Sequence, residues 1–132
     1  MDLSALILPS KEVEFDYEGV KGLKFSLAYL SKSKLEKMRK DNTKFVRNKY
    51  TKQYEEELNQ EDFLKDYVPA VLRGWKGLNT ETIQHFVLVS ESEKIDVTYS
   101  EDNAYSILTN SNELDTWVSE KIADIENFRD GK

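Results

Sequence analysis

Residues 12–30 alternate between apolar and polar positions. Val13, Phe15 and Tyr17 share one face of a first run, with Glu12, Glu14, Asp16 and Glu18 on the other. Leu23, Phe25, Leu27 and Tyr29 share a face of the next run. Between them lies EGVKG, where Gly19 and Gly22 are free to take positive φ. Period-two alternation around a glycine-bearing turn predicts a β-hairpin over 11–30, buried on one side. A lone hairpin is marginal in water, so it must pack on something else. The preceding MDLSALILPS lacks such a pattern, and residues 1–10 are expected to be flexible.

The period then becomes helical. Ser33 and Glu36 have capping-box spacing. Leu35, Met38, Phe45 and Val46 share one arc, while Lys32, Lys37, Arg39, Lys40, Lys44 and Arg47 fill most of the opposite arc. This predicts a basic helix over 32–49, its apolar stripe interrupted by Asn42 and Lys49. Helix formers continue from Tyr50 to Leu58, where Glu55, Glu56 and Glu57 reverse the charge. Asn59 is placed to cap the strongest helix, with Phe63, Leu64, Tyr67, Val68, Val71, Leu72 and Trp75 as a wide apolar face. Pro69 is expected to kink it near Lys65, and Gly74 and Gly77 to end it.

Residues 78–98 are ambiguous. Thr80 and Glu81 can open a short helix through Val87, the reading preferred, yet IQHFVLV is equally strand-like by propensity. SESEK reads as a polar loop and IDVTY as extended. Ser100 caps a helix with Ala104, Ile107 and Leu108 inward. Ser111 caps a last one, with Leu114, Trp117, Val118, Ile122 and Ile125 on one stripe ending near Phe128. The sum is a single α+β domain over 1–132, predominantly α, in which the N-terminal β-hairpin packs on about five helices and 31–132 is mainly helical.

Composition narrows the chemistry. At 132 residues with 39% hydrophobic content, the chain can bury one real core without staples. It has no cysteine, which excludes disulfides, thiolate metal sites and thiol nucleophiles together. The only histidine, His85, lies in an apolar run and reads as a partly buried surface residue before it reads as a base or ligand. There is no GxGxxG, Walker loop, HExxH or calcium-loop spacing, and no acid–base dyad can be named among carboxylates expected to face solvent. The expectation is a protein without catalysis, cofactor or metal. The apolar run around Leu6–Leu8 is too short to span a bilayer, and the N-terminus lacks a basic signal-peptide region, so the protein is expected to stay in the cytoplasm.

The net charge of −6 conceals an asymmetry. Residues 21–52 carry eleven Lys or Arg against Glu36 and Asp41, whereas 53–132 carry seven bases against eighteen acids. Such polarity points to self-association or an oriented partner surface, the alternative being a solvated basic helix. Lys37, Lys40, Lys44 and Arg47 are the candidate partner-binding residues. A nucleic-acid-associated regulator using the basic helix 32–49 is the alternative function, disfavoured because the rest of the chain is acidic and would repel phosphate. Membrane-surface binding is weaker still, given the modest apolar arc. Trp75 and Trp117 each lie on the apolar stripe of a predicted helix, which favours core over interface anchor.

The C-terminal half resembles the tail assembly chaperones of long-tailed bacteriophages. The resemblance lies in AVLRGWKGL, residues 70–78, and in the stretch from Thr98 to Phe128. There Tyr99, Ser100, Asn103, Ala104, Leu108, Trp117, Val118, Ala123, Asn127 and Phe128 match by type. The N-terminal hairpin and basic segment are similar more loosely, and the sequence departs from the pattern at 78–98 and at Asp102. The resemblance implies a protein that coats the helical tape measure protein, keeps it soluble until the tail tube polymerises around it, and is absent from the mature virion. It also implies a frameshifted C-terminal extension that recruits the tail tube protein. Gly131–Lys132 is a dipeptide that a slippery codon pair would encode, and equally a helix stop with a polar terminus.

Overall fold

The computed structural model describes residues 2–90 and 93–129. Part of the SESEK loop (Glu91, Ser92) and the Gly131–Lys132 dipeptide lie outside the described residues. The chain runs through β1 (Ser10–Asp16), β2 (Lys24–Leu30), α1 (Lys32–Asp41), β3 (Thr43–Arg47), β4 (Tyr54–Leu58), α2 (Gln60–Val71), β5 (Leu72–Lys76), α3 (Glu101–Asn110) and α4 (Asn112–Ala123). Single 3₁₀ turns lie at Leu3–Ala5, Thr82–His85 and Ile125–Phe128.

The architecture is therefore more mixed than the pattern predicts. The described residues are 44% helical and 25% strand, with four α-helices and two small sheets in place of a hairpin on about five helices. The first sheet has the order β1-β2-β5. Its β1–β2 half is the predicted hairpin, antiparallel with Val13 opposite Leu27 and Phe15 opposite Phe25, turning at Gly19 and Gly22, both at positive φ. Helices α2, α3 and α4 cover one face, and Leu23, Phe25, Leu27, Val68, Val71, Leu72, Ala104, Ile107, Leu108, Leu114 and Val118 form the core between the layers. The other face is a lattice of exposed ion pairs, Arg73 with Glu12 at 3.5 Å and Lys76 with Glu14 at 3.2 Å among them. Exposed pairs of this kind add little stability each.

β5 is the first correction. The predicted helix through Trp75 stops at Val71, and Leu72 turns extended. Pro69 has no N–H for the last turn, and the second edge of β2 offers a whole strand's worth of partners. Phe25 pairs with Trp75 and Leu27 with Leu72, so β5 spends three residues where β2 spends two. That extra residue is a bulge beside Ser26, and it turns both Leu72 and Trp75 inward at a spacing that imitates a helix. Gly77, at positive φ, closes the strand against the first hairpin: a Cβ there would sit 2.2 Å from the Gly22 carbonyl oxygen.

Among the described residues of 78–98, Thr82–His85 forms a 3₁₀ turn in place of the preferred short helix through Val87. The buried Asn79 accepts from the N–H groups of Glu81 and Thr82 (both 2.9 Å) and bridges to Asp96. The backbone from Ile95 to Val97 is held extended against Leu78–Thr80, which leaves no room for a second helical turn to compete. Both tryptophans pack against the core: the indole N–H of Trp75 donates to Val97 O at 2.7 Å, that of Trp117 to Glu18 at 3.1 Å. Ser100, Ser111 and Asn59 cap α3, α4 and α2 as expected. For α1 the cap is Ser31, whose hydroxyl accepts from Lys34 N, and not Ser33. α4 ends at Ala123; the 3₁₀ turn beyond buries Phe128 against Phe15 and Tyr29 and leaves Ile125, predicted inward, 48% exposed.

Candidate functional site

The predicted basic helix over 32–49 is broken in two. α1 ends at Asp41, and Thr43–Arg47 pairs with Tyr54–Leu58 as an antiparallel two-stranded arm. The local chemistry favours this outcome. Thr43, Phe45 and Val46 are strand formers crowded by a helix. Asn48 builds an Asx turn, its side-chain oxygen accepting from Tyr50 N (2.8 Å) and Thr51 N (3.1 Å). Lys52 completes the reversal at φ 60°. At the root, Asn42 Nδ2 donates to Met38 O and to the Asp66 carboxylate, and Asn59 N–H donates to Asn42 O at 2.8 Å. The two asparagines clamp the arm to the ends of α1 and α2.

The four predicted partner-binding residues consequently occupy two elements. Lys37 and Lys40 lie on α1; Lys44 and Arg47 lie on β3. Alternation along β3 puts Lys44 with Val46 on one face and Phe45 with Arg47 on the other, so no single basic face carries all four. Lys37 is already neutralised by Asp41 at 3.0 Å. Among the described residues, Lys40, Lys44 and Arg47 have no carboxylate within ion-pair distance. The continuous basic helix on which the nucleic-acid alternative rested is absent.

No residue from Ser31 to Leu58 is buried. The arm instead exposes Phe45 (70%), Tyr54 (71%) and Tyr50 (95%). Sequence reasoning missed these aromatics as surface residues because it placed Phe45 on the inward arc of a helix. The signal that could have found them is Asn48 between two runs of alternating strand formers. Leu3, Leu6, Ile7 and Leu8 are exposed as well, and so is Ile125. Ile7 and Leu8 line a depression with Tyr29 and Phe128.

A groove of about 620 Å³ runs between the Thr82–His85 turn and α3, lined by Trp75, Phe86, Leu88, Asn103 and Ile107 among others. Among the described residues of the lining His85 is the one titratable group, and none of them brings a second acid or base to it. The most perturbed group is Tyr17, pushed up to about 12 first by burial, then by the hydrogen bond it donates to Glu113 (3.1 Å) and the nearby carboxylate charge. Glu18 beside it is held below its ordinary value by a backbone hydrogen bond first, then by Trp117 and Lys121. These contacts tie the hairpin turn to α4. Among the described residues no three His, Cys, Asp or Glu gather to hold a metal ion, and no helix is long and apolar enough to cross a membrane.

Fold and surface together define a small α+β domain with an exposed, aromatic and charged β-arm. The chain belongs to the YdaY prophage protein family, which matches residues 30–132, and it is accordingly a phage- or prophage-associated protein. That match spans the arm, all four helices and β5, and excludes β1 and nearly all of β2. It does not reach as far as the tail assembly chaperones specifically. No curated protein and no solved structure matches the chain.

Proposed function

We propose that this prophage protein is a non-enzymatic tail assembly chaperone, which binds the helical tape measure protein, keeps it soluble and promotes tail tube polymerisation around it. The observation that carries the reading is the arm. Phe45 and Tyr54 stand exposed beside Arg47, with Lys44 on the opposite face and Lys40 near the root. Aromatic side chains give a rigid apolar contact at low entropic cost, and the unpaired cations suit the acidic flanks of an amphipathic helix. The work is done in the host cytoplasm, and the protein leaves before the virion is complete. A frameshifted extension of the chain recruits the tail tube protein.

The test is co-expression with the tape measure protein of the same prophage. The soluble fraction of the client is expected to rise with the wild-type chain and to fall back with Phe45→Ala/Tyr54→Ala or Lys40→Glu/Lys44→Glu. A client that stays insoluble with the wild-type chain overturns the function. Solubilisation untouched by both double variants overturns the assignment to the arm alone.

A further inference from the structure

The arm has two free edges, and they differ in sign. Asn59 N–H donates to Asn42 O, and Asn48 N–H to Gln53 O, both at 2.8 Å. Hydrogen-bonded pairs in an antiparallel ladder recur at every second residue. The inward pairs are therefore Lys44 with Glu57 and Val46 with Glu55, and the backbone groups of Phe45 and Arg47 on one side, and of Tyr54 and Glu56 on the other, point out of the sheet. The sheet has two strands, so no third strand among the described residues takes up either row.

β3 and the turn after it carry Lys44, Arg47, Lys49 and Lys52; β4 carries Glu55, Glu56 and Glu57. Within one arm these charges largely miss each other. Register sets Lys44 opposite Glu57, but Phe45 opposite Glu56, Val46 opposite Glu55 and Arg47 opposite Tyr54, and no ion pair among the described residues joins the two strands. Charges on an edge strand commonly serve to deter edge-to-edge pairing. A purely deterrent pattern needs one sign on both edges, since opposite signs invite the pairing that deterrence should prevent.

We infer that the arm is a self-association device in which the acidic β4 edge of one copy pairs with the basic β3 edge of the next. Copies stacked with their arms pointing the same way keep β4 antiparallel to the neighbouring β3, so the ladder simply continues. Cross-strand neighbours lie about 4.5–5.5 Å apart at Cβ, which brings Lys44 opposite Glu57 or Glu55, or Arg47 opposite Glu56, of the neighbouring copy according to register. The two-fold alternatives, β3 on β3 or β4 on β4, oppose like charges and are disfavoured. The contact is heterologous: each copy uses two different edges, so assembly continues into a row or ring and does not stop at a dimer. The arm's faces stay free, and a row of copies would present Phe45 and Arg47 repeatedly along one side. The inference stands on the edges and charges alone and does not rest on the chaperone reading.

The test uses the purified full chain without any client, followed by sedimentation velocity over a concentration series at low and high salt. The wild-type chain is expected to grow beyond two copies with concentration and to return to monomer in high salt. Lys44→Glu/Arg47→Glu makes both edges acidic, and Glu55→Lys/Glu57→Lys makes both predominantly basic; each alone is expected to stay monomeric. Mixed together, the two variants offer unlike edges again and are expected to recover the larger species. That recovery excludes simple loss of the hairpin as the reason each fails alone. A wild-type chain that stays monomeric, a species that stops at two copies, or variants that associate alone as well as wild type would each overturn the inference. Because no client is present, failure here leaves the co-expression result intact, and the converse holds too.

Discussion

The layer built by β1, β2, β5 and helices α2 to α4 and the region from Ser31 to Leu58 obey different rules. In the first, apolar side chains are enclosed, and Phe25, Leu27, Val71, Leu72 and Leu114 are fully buried. Complete burial of one such side chain contributes about 1.5–3 kcal/mol. In the second, no residue is buried, α1 meets α2 through the Arg39 guanidinium over Phe63, and the arm is clamped at its root by Asn42 and Asn59. A two-stranded hairpin is marginal by itself. The composition of the first region is accounted for by folding. The exposed aromatics and segregated charges of the second contribute little to folding, which is why binding is sought there.

The sharpest way to break that contrast is a matched pair of truncations. Phe25→Ala should cost about 3–5 kcal/mol, as large aromatic-to-alanine changes in a core do. Phe45→Ala should stay within about 0.5 kcal/mol, as for surface positions without special features. Urea unfolding of both variants measures this directly, and comparable losses would mean the arm is part of the cooperative core. Gly77→Ala comes next. Its Cβ would collide with the Gly22 carbonyl at a positive φ that alanine resists, so a loss above about 1 kcal/mol is expected. Smaller again is excision of 43–58, with Asn42 and Asn59 rejoined through an Asn-Gly turn across the 2.8 Å backbone bond that already links them. Unfolding should remain a single transition with stability changed by less than about 1 kcal/mol, while self-association disappears. A molten or unfolded product would show that the arm holds the body together.

What could be read from the chain follows the same division. The first hairpin was legible because Val13, Phe15, Phe25 and Leu27 alternate against glutamates, and a strand buried on one face must alternate. The caps at Asn59, Ser100 and Ser111 were legible because the side chain that satisfies a free N–H is local in sequence. β5 was hidden, since a bulge spaced Leu72 and Trp75 like helix neighbours, and its partner strand lies some fifty residues earlier in the chain. The arm was hidden for the opposite reason. Period decides between helix and strand only where one face is buried, and Thr43–Leu58 buries neither. The four cations were joined on one predicted helix that divides into α1 and β3, so their shared face did not survive.

The smallest effect concerns pH, and it asks whether the body titrates without reference to the arm. Tyr17 in the folded chain is pushed up from 10.0 to about 12 by burial first, then by Glu113 and Glu18. The folded state thus holds this proton more tightly than the unfolded chain. Stability from this group is complete below the unfolded value and is lost as pH rises through the window between 10.0 and about 12. The carboxylates that raise it lie on the β1–β2 turn and α4, and the rings packed on it, Phe25, Phe86 and Trp117, lie outside the arm, so the arm-excised chain should lose stability across the same window as the full chain. Glu113→Gln removes one charge and leaves the burial, and should bring the Tyr17 ring titration, followed by its NMR resonances, part of the way back toward 10.0. A full-length chain that weakens in this window while the excised one does not would place the sensitive contact in the arm, and the separation of the two regions would fail on electrostatics even if it held on packing.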